Sequence, residues 1–79
     1  MTIENMKRVM WRLRSNCKEW LKDHNYVRRD DLWKAIAIEL GTCKQTYYNN
    51  KAVLVKLGWI MPRKTRVVLT DKDLTEDYG

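Results

Sequence analysis

The sequence predicts a mainly α fold closed by a β-hairpin, an α+β arrangement of three helices followed by two short strands. Three observations point there. Apolar residues recur at helical spacing from Ile3 to Trp20. Gly41 separates two further helix-like segments, and Gly58 precedes two β-prone runs that flank a basic turn. With 79 residues the chain has room for one domain. A chain of this size buries only roughly 60% of its unfolded surface, which means one core and little spare interior.

The first helix is expected over about 3–23. Ile3, Met6, Met10, Leu13, Cys17 and Trp20 form one stripe with alternating three- and four-residue steps, widened by Val9 and Leu21. Thr2 suits the N-cap, and Asp23-His24-Asn25 read as stop residues. Trp11 lies off the stripe. The stripe has two uses: covering the domain's own core, or forming the seam of a homodimer through this helix.

A second helix is expected over about 31–40, capped by Asp30 or Asp31, with Leu32, Trp33, Ile36, Ala37 and Leu40 on its apolar face. Gly41 would end it in a left-handed conformation. A third helix follows over about 43–57, with Thr42 and Gln45 placed as a capping box. So short a turn between two helices favours a steep crossing, the helix-turn-helix arrangement. Gly58 ends the third helix. Trp59-Ile60-Met61 and Arg66–Thr70 then pair as a hairpin over about 59–70, with Pro62-Arg63-Lys64-Thr65 at its tip. Four Trp and no Phe mean that Trp and aliphatic side chains are expected to fill the core. The domain spans 1–70, and 71–79 is expected to be an acidic, frayed tail.

Charge is distributed unevenly. The chain carries +6 overall with a pI near 9.6. Residues 41–70 hold Lys44, Lys51, Lys56, Arg63, Lys64 and Arg66 with no acid, whereas 71–79 holds Asp71, Asp73, Glu76 and Asp77 against Lys72. A purely basic segment between neutral and acidic neighbours is a footprint for a polyanion.

Other function classes are poorly served. No run approaches the roughly 20 apolar residues of a membrane span, and the charged N-terminus is not a signal peptide; a cytoplasmic protein is expected. Cys17 and Cys43 read as small core residues, with a disulfide between them as the alternative. With His24 they lack metal-ligand spacing, and no metal or other cofactor is expected. Ser15 and His24 are the only serine and histidine and cannot form a nucleophile–base pair from their positions. No enzyme activity and no small-molecule substrate are expected.

The segment Asp31–Thr70, DLWKAIAIELGTCKQTYYNNKAVLVKLGWIMPRKTRVVLT, has the skeleton "L…A..LG…T…L…GWI…LT". In that pattern, over about half of the chain, it resembles the winged-helix DNA-binding family, including small regulators of archaea and their viruses and plasmids. The resemblance implies a three-helix winged helix-turn-helix whose third helix reads duplex DNA. Some regulators of this kind place a Gly soon after the "LT"; here the sequence departs, reading Thr70-Asp71-Lys72-Asp73.

At 100° per residue, Cys43, Tyr47, Asn50, Leu54 and Leu57 share the inner side of the third helix, with Val53 at the margin. Gln45, Tyr48, Asn49, Ala52 and Lys56 share the outer side, flanked by Lys44, Lys51 and Val55. Gln and Asn pair with adenine edges and Ala with the thymine methyl, so Gln45, Tyr48, Asn49 and Ala52 are candidates for base readout. Lys44, Lys51 and Lys56 are candidates for phosphate contact. The resemblance adds Arg63, Lys64 and Arg66 as wing contacts. Arg28 and Arg29 either reach phosphate or pair with Asp30 or Asp31. The expected function is sequence-specific binding of double-stranded DNA and transcriptional regulation by promoter occupancy. The alternatives are a protein-interaction module of the same fold, and a non-specific architectural or RNA-binding protein.

Overall fold

In the computed structural model, which describes residues 3–75, helix α1 (Ile3–Asn16) leads through Cys17 into a single turn, α2 (Lys18–Leu21). Strand β1 (Tyr26–Arg28), α3 (Arg29–Leu40), α4 (Lys44–Lys56), β2 (Ile60–Pro62), β3 (Arg66–Leu69) and the short α5 (Lys72–Thr75) follow. The chain is mostly helical with one three-stranded antiparallel sheet, ordered β1-β3-β2.

The expected single helix over 3–23 is therefore two. Ser15-Asn16-Cys17 is a run of weak helix formers, and Cys17 leaves helical geometry at φ −110°, ψ 23°. The break lets Leu21 pack against the core while Trp20 turns outward. Met6, Val9, Met10 and Leu13 are fully buried, so the stripe covers the protomer's own core and is not free to act as a dimer seam. Trp11 stays exposed.

Helix α3 begins two residues earlier than expected. The Asp31 carboxylate reaches back to accept the Arg28 backbone N–H at 3.1 Å, so Asp31 caps from inside the helix rather than ahead of it. Leu32, Ala35 and Ile36 are its buried residues. Gly41 closes it at φ 130°, ψ 161°, the mirror image of extended backbone rather than the expected left-handed helical state. Helix α4 starts after Cys43, one residue later than the Thr42 cap would set it. Thr42 is exposed, and no side-chain bond caps the helix. Gly58, at φ 75°, lets the chain reverse after α4 so that fully buried Trp59 enters the core.

Strand β1 escaped the sequence reading because three residues carry too little alternation. It pairs Tyr26 with Val68, Val27 with Val67 and Arg28 with Arg66. On the other side of β3, β2 pairs Ile60 with Leu69 and Pro62 with Val67. Pro62 is tolerated because β2 is an edge strand. Val27, Val67, Ile60 and Leu69 face the helices and are buried, joining the α1, α3 and α4 side chains in one core. Of the four Trp, only Trp59 is fully buried; Met and aliphatic residues fill most of the rest.

The tail is docked at its start. Asp73, nearly buried, takes both Arg14 Nε and Nη2, at 2.8 and 2.7 Å, and Asp71 takes Nη2 at 3.0 Å. Residues 71–75 are thus fastened to α1 rather than frayed. The expected tail over 76–79 and the Thr2 cap lie outside the described residues. No helix among the described residues is long and apolar enough to cross a membrane.

Candidate nucleic-acid interface

Helix α4 is held by its inner side. Tyr47, Asn50 and Leu54 are buried, and the Tyr47 ring packs 5.0 Å from Trp33 of α3. Burial holds the Tyr47 phenol above its ordinary pKa, keeping it neutral. Asn50, a polar residue in this apolar setting, donates from Nδ2 to the Thr46 carbonyl at 2.6 Å. With the inner side fixed, Gln45, Tyr48, Asn49, Ala52 and Lys56 are all exposed on the opposite side, flanked by Lys44 and Val55. Tyr48 is 62% exposed and stands edge-on to Tyr47 at 5.2 Å. Lys51 is half-buried, its ammonium 5.7 Å from the Tyr47 ring.

Cys43 corrects the sequence reading. Helical spacing predicts an inner position, yet Cys43 is exposed at the start of α4, because the helix begins one residue later and position 43 lies outside it. Backbone N–H groups of Thr46 and Gln45 hold its thiol below the ordinary pKa. Cys17 is half-buried, and burial with nearby Asp31 pushes its thiol up. Both are free thiols, so no disulfide joins them.

Arg63, Lys64 and Arg66 are exposed on the β2–β3 turn and the start of β3. The turn closes with Arg63 N–H donating to the Arg66 carbonyl at 2.7 Å. Arg29, ambiguous in the sequence, donates from Nη1 to the Lys64 carbonyl at 2.9 Å and so ties the turn to the start of α3. The Arg66 guanidinium departs from the group. It lies over the Tyr26 ring at 4.5 Å, on the outer face of the sheet, opposite Arg28. The structure therefore gathers Gln45, Tyr48, Asn49, Ala52 and Lys56 on one helix face, with Lys44 beside them. Arg63 and Lys64 stand at the turn, and Arg66 is displaced toward β1.

Ion pairing separates this region from the rest. Among the described residues the salt bridges are Arg12–Glu39, Arg14 with Asp71 and Asp73, and Lys22–Glu19. None involves Lys44, Lys51, Lys56, Arg63, Lys64 or Arg66. Six cations without a carboxylate partner among the described residues repel one another, and an external anion relieves that repulsion. Among the described residues no cluster of three or more His, Cys, Asp or Glu side chains could hold a metal ion.

Sequence reasoning missed two features: the positioning role of Arg29, and an aromatic cluster of Trp20, His24 and Tyr26. Both depend on β1, whose three-residue alternation was the only available signal. Compared with known proteins, the chain matches no family model, no curated protein and no solved structure.

Proposed function

We propose that this chain is a winged-helix protein that binds double-stranded DNA sequence-specifically and regulates transcription by occupying promoter DNA. The element order helix, strand, helix, helix, hairpin supports the winged-helix reading, with α3 and α4 as the helix-turn-helix and the β2–β3 turn as the wing. The observation that carries the reading is the acid-free outer face of α4, inner side locked, together with a basic turn that Arg29 fastens to α3. In this reading Gln45, Tyr48, Asn49 and Ala52 enter the major groove. Lys44, Lys51, Lys56, Arg63 and Lys64 sit on phosphates.

Selection from a random duplex pool, followed by a salt titration on the winning sequence, tests it. With about five phosphates neutralised, affinity should fall roughly two to three orders of magnitude between about 50 and 200 mM salt. No enriched motif, or a flat salt response, would overturn the reading.

The protein-interaction alternative has one observation behind it. Trp11 and Leu74 are 64% and 66% exposed and line a common groove with Arg14 and Lys18. A second copy seated there would make a homodimer through this face of α1 rather than through its buried stripe, and a palindromic motif from the selection would be its signature.

A further inference from the structure

The outer face of the sheet carries a second basic site, built from residues that the α4 interface does not use. Alternation along the strands turns Val27 and Val67 inward, and Tyr26, Arg28 and Arg66 outward. Arg28 and Arg66 are direct cross-strand partners on that face, an arrangement of like charges that costs stability. Neither takes part in a salt bridge among the described residues. The Asp31 carboxylate accepts the Arg28 backbone N–H and caps α3. Beside the two arginines is a shallow cavity of 390 Å³ lined by Trp20, Tyr26, Arg28, Thr65 and Arg66, with no acid in its wall.

The aromatic wall is rigid. Trp20 donates from Nε1 to the Tyr26 carbonyl at 2.7 Å and is stacked on His24 with ring centroids 3.6 Å apart. His24 is fixed in turn, its Nδ1 lying 2.9 Å from the Trp20 carbonyl, and Tyr26 stands edge-on to both rings. Yet Trp20 remains 42% exposed. An exposed aromatic already immobilised loses little further entropy when a flat partner stacks on it.

We infer that this cavity binds an unstacked nucleotide, its base against Trp20 and Tyr26 and its phosphate between Arg28 and Arg66. A locked aromatic beside paired cations is the combination by which single strands are held: every base has a π-face, and the backbone supplies the anion. The site is separate from the α4 face, so it stands or falls independently of duplex readout. A displaced strand of the same nucleic acid and a free mononucleotide offer the same chemistry.

The test uses the intact protein with fluorescein-labelled dT10, unlabelled dTMP and the selected duplex, at fixed moderate salt. Anisotropy reads affinity, and ¹⁵N-resolved NMR reads position. Trp20→Leu and Arg28→Gln should each weaken dT10 about tenfold while changing duplex affinity less than about twofold. Asn49→Ala should do the reverse. Added dT10 should shift the Trp20 indole resonance and the amides of Tyr26, Arg28, Thr65 and Arg66. The same shifts with dTMP would support a site filled by a free nucleotide, and shifts with dT10 alone a site filled by a strand. If Trp20→Leu loses its fold by circular dichroism, Arg28→Gln decides, because Arg28 is exposed and makes no side-chain salt bridge among the described residues. Wild-type affinity of the folded variants for dT10, or shifts confined to α4, would overturn the inference.

Discussion

Replacing Asp73 by Ala should destabilise the protein by about 2 kcal/mol, and the structure explains why so much rests on one carboxylate in a short terminal helix. Asp73 receives two charge-assisted bonds from Arg14, at 2.8 and 2.7 Å, and its side chain is 3% exposed. Breaking a fully buried pair costs about 3–5 kcal/mol, because the remaining charge is left without compensation. Arg14 is 20% exposed and keeps Asp71, so water and that carboxylate recover part of the loss. The bond to Asp73 raises the Arg14 pKa further, but a guanidinium stays charged throughout the accessible range even without it, so the loss cannot be relieved by deprotonation. For a domain this small, about 2 kcal/mol corresponds to a fall in Tm of roughly 8–16 °C. Asp71→Asn is the control. Asp71 is 69% exposed and sits at φ 64°, a conformation that Asn tolerates, so its loss should cost less than about 0.5 kcal/mol. Thermal unfolding followed by circular dichroism measures both, and the gap between the variants should persist in high salt because the Asp73 pair is shielded from it. Equal losses for the two variants, or a gap abolished by salt, would refute the clamp.

Three further outcomes follow from other parts of the molecule. Gly41→Ala should cost about 1–3 kcal/mol in chemical denaturation through backbone strain alone, since a Cβ there meets nothing within 4 Å; Asn should fare no better, because φ 130°, ψ 161° lies outside the left-handed helical well. Cys43 should react with iodoacetamide before Cys17 near neutral pH, and as pH is raised its rate should climb earlier than that of Cys17, because its thiol pKa is depressed while that of Cys17 is raised. Peptide mapping gives the order, and saturating duplex should slow the reaction at Cys43; Cys17 reacting first would show that the α4 amides do not act on position 43. Asn49→Ala should relax base preference at one position by about 1–3 kcal/mol, whereas Lys64→Ala should weaken all duplexes alike and reduce the salt slope by about 1; identical effects on selected and random DNA would refute this division of roles.

What could be read from the sequence was whatever one strong period or one special residue decided. The α1 stripe, the outer face of α4 and the hairpin after Gly58 all rest on side chains that repeat with the element's own geometry. The features that escaped depend on contacts between distant segments. Strand β1 exists because Val27 pairs with Val67, forty residues away, and without it neither the Arg28–Arg66 opposition nor the Tyr26 cluster could be foreseen. The helix break at Cys17 accompanies a bond from Trp20 Nε1 to a carbonyl six residues on, a contact that helical periodicity does not encode. Likewise, an acidic tail read from composition as solvated is partly an anchor, because Arg14 projects from α1 at the place where Asp73 arrives.

The partners of the carboxylates explain how a modest excess of charge becomes a directed one. Glu39 bonds Arg12 across α1 and α3, Asp71 and Asp73 take Arg14, Glu19 pairs with Lys22, and Asp31 caps α3. These groups compensate the α1 side, while the segment from Lys44 to Arg66 contains no acid to do the same. A net charge of +6 spread evenly would give a weak, direction-less field. Segregated in this way, it is concentrated on α4, the β2–β3 turn and the outer sheet face. If the proposed function holds, a polyanion is steered toward those surfaces before any base is read, and the steering should weaken as salt shortens the Debye length. Moving one compensating acid, with Glu39→Gln to free Arg12 and Val55→Glu to place an acid on the α4 face, would redistribute the field without changing its total. Association rate should then fall at constant net charge, which separates directed steering from bulk attraction.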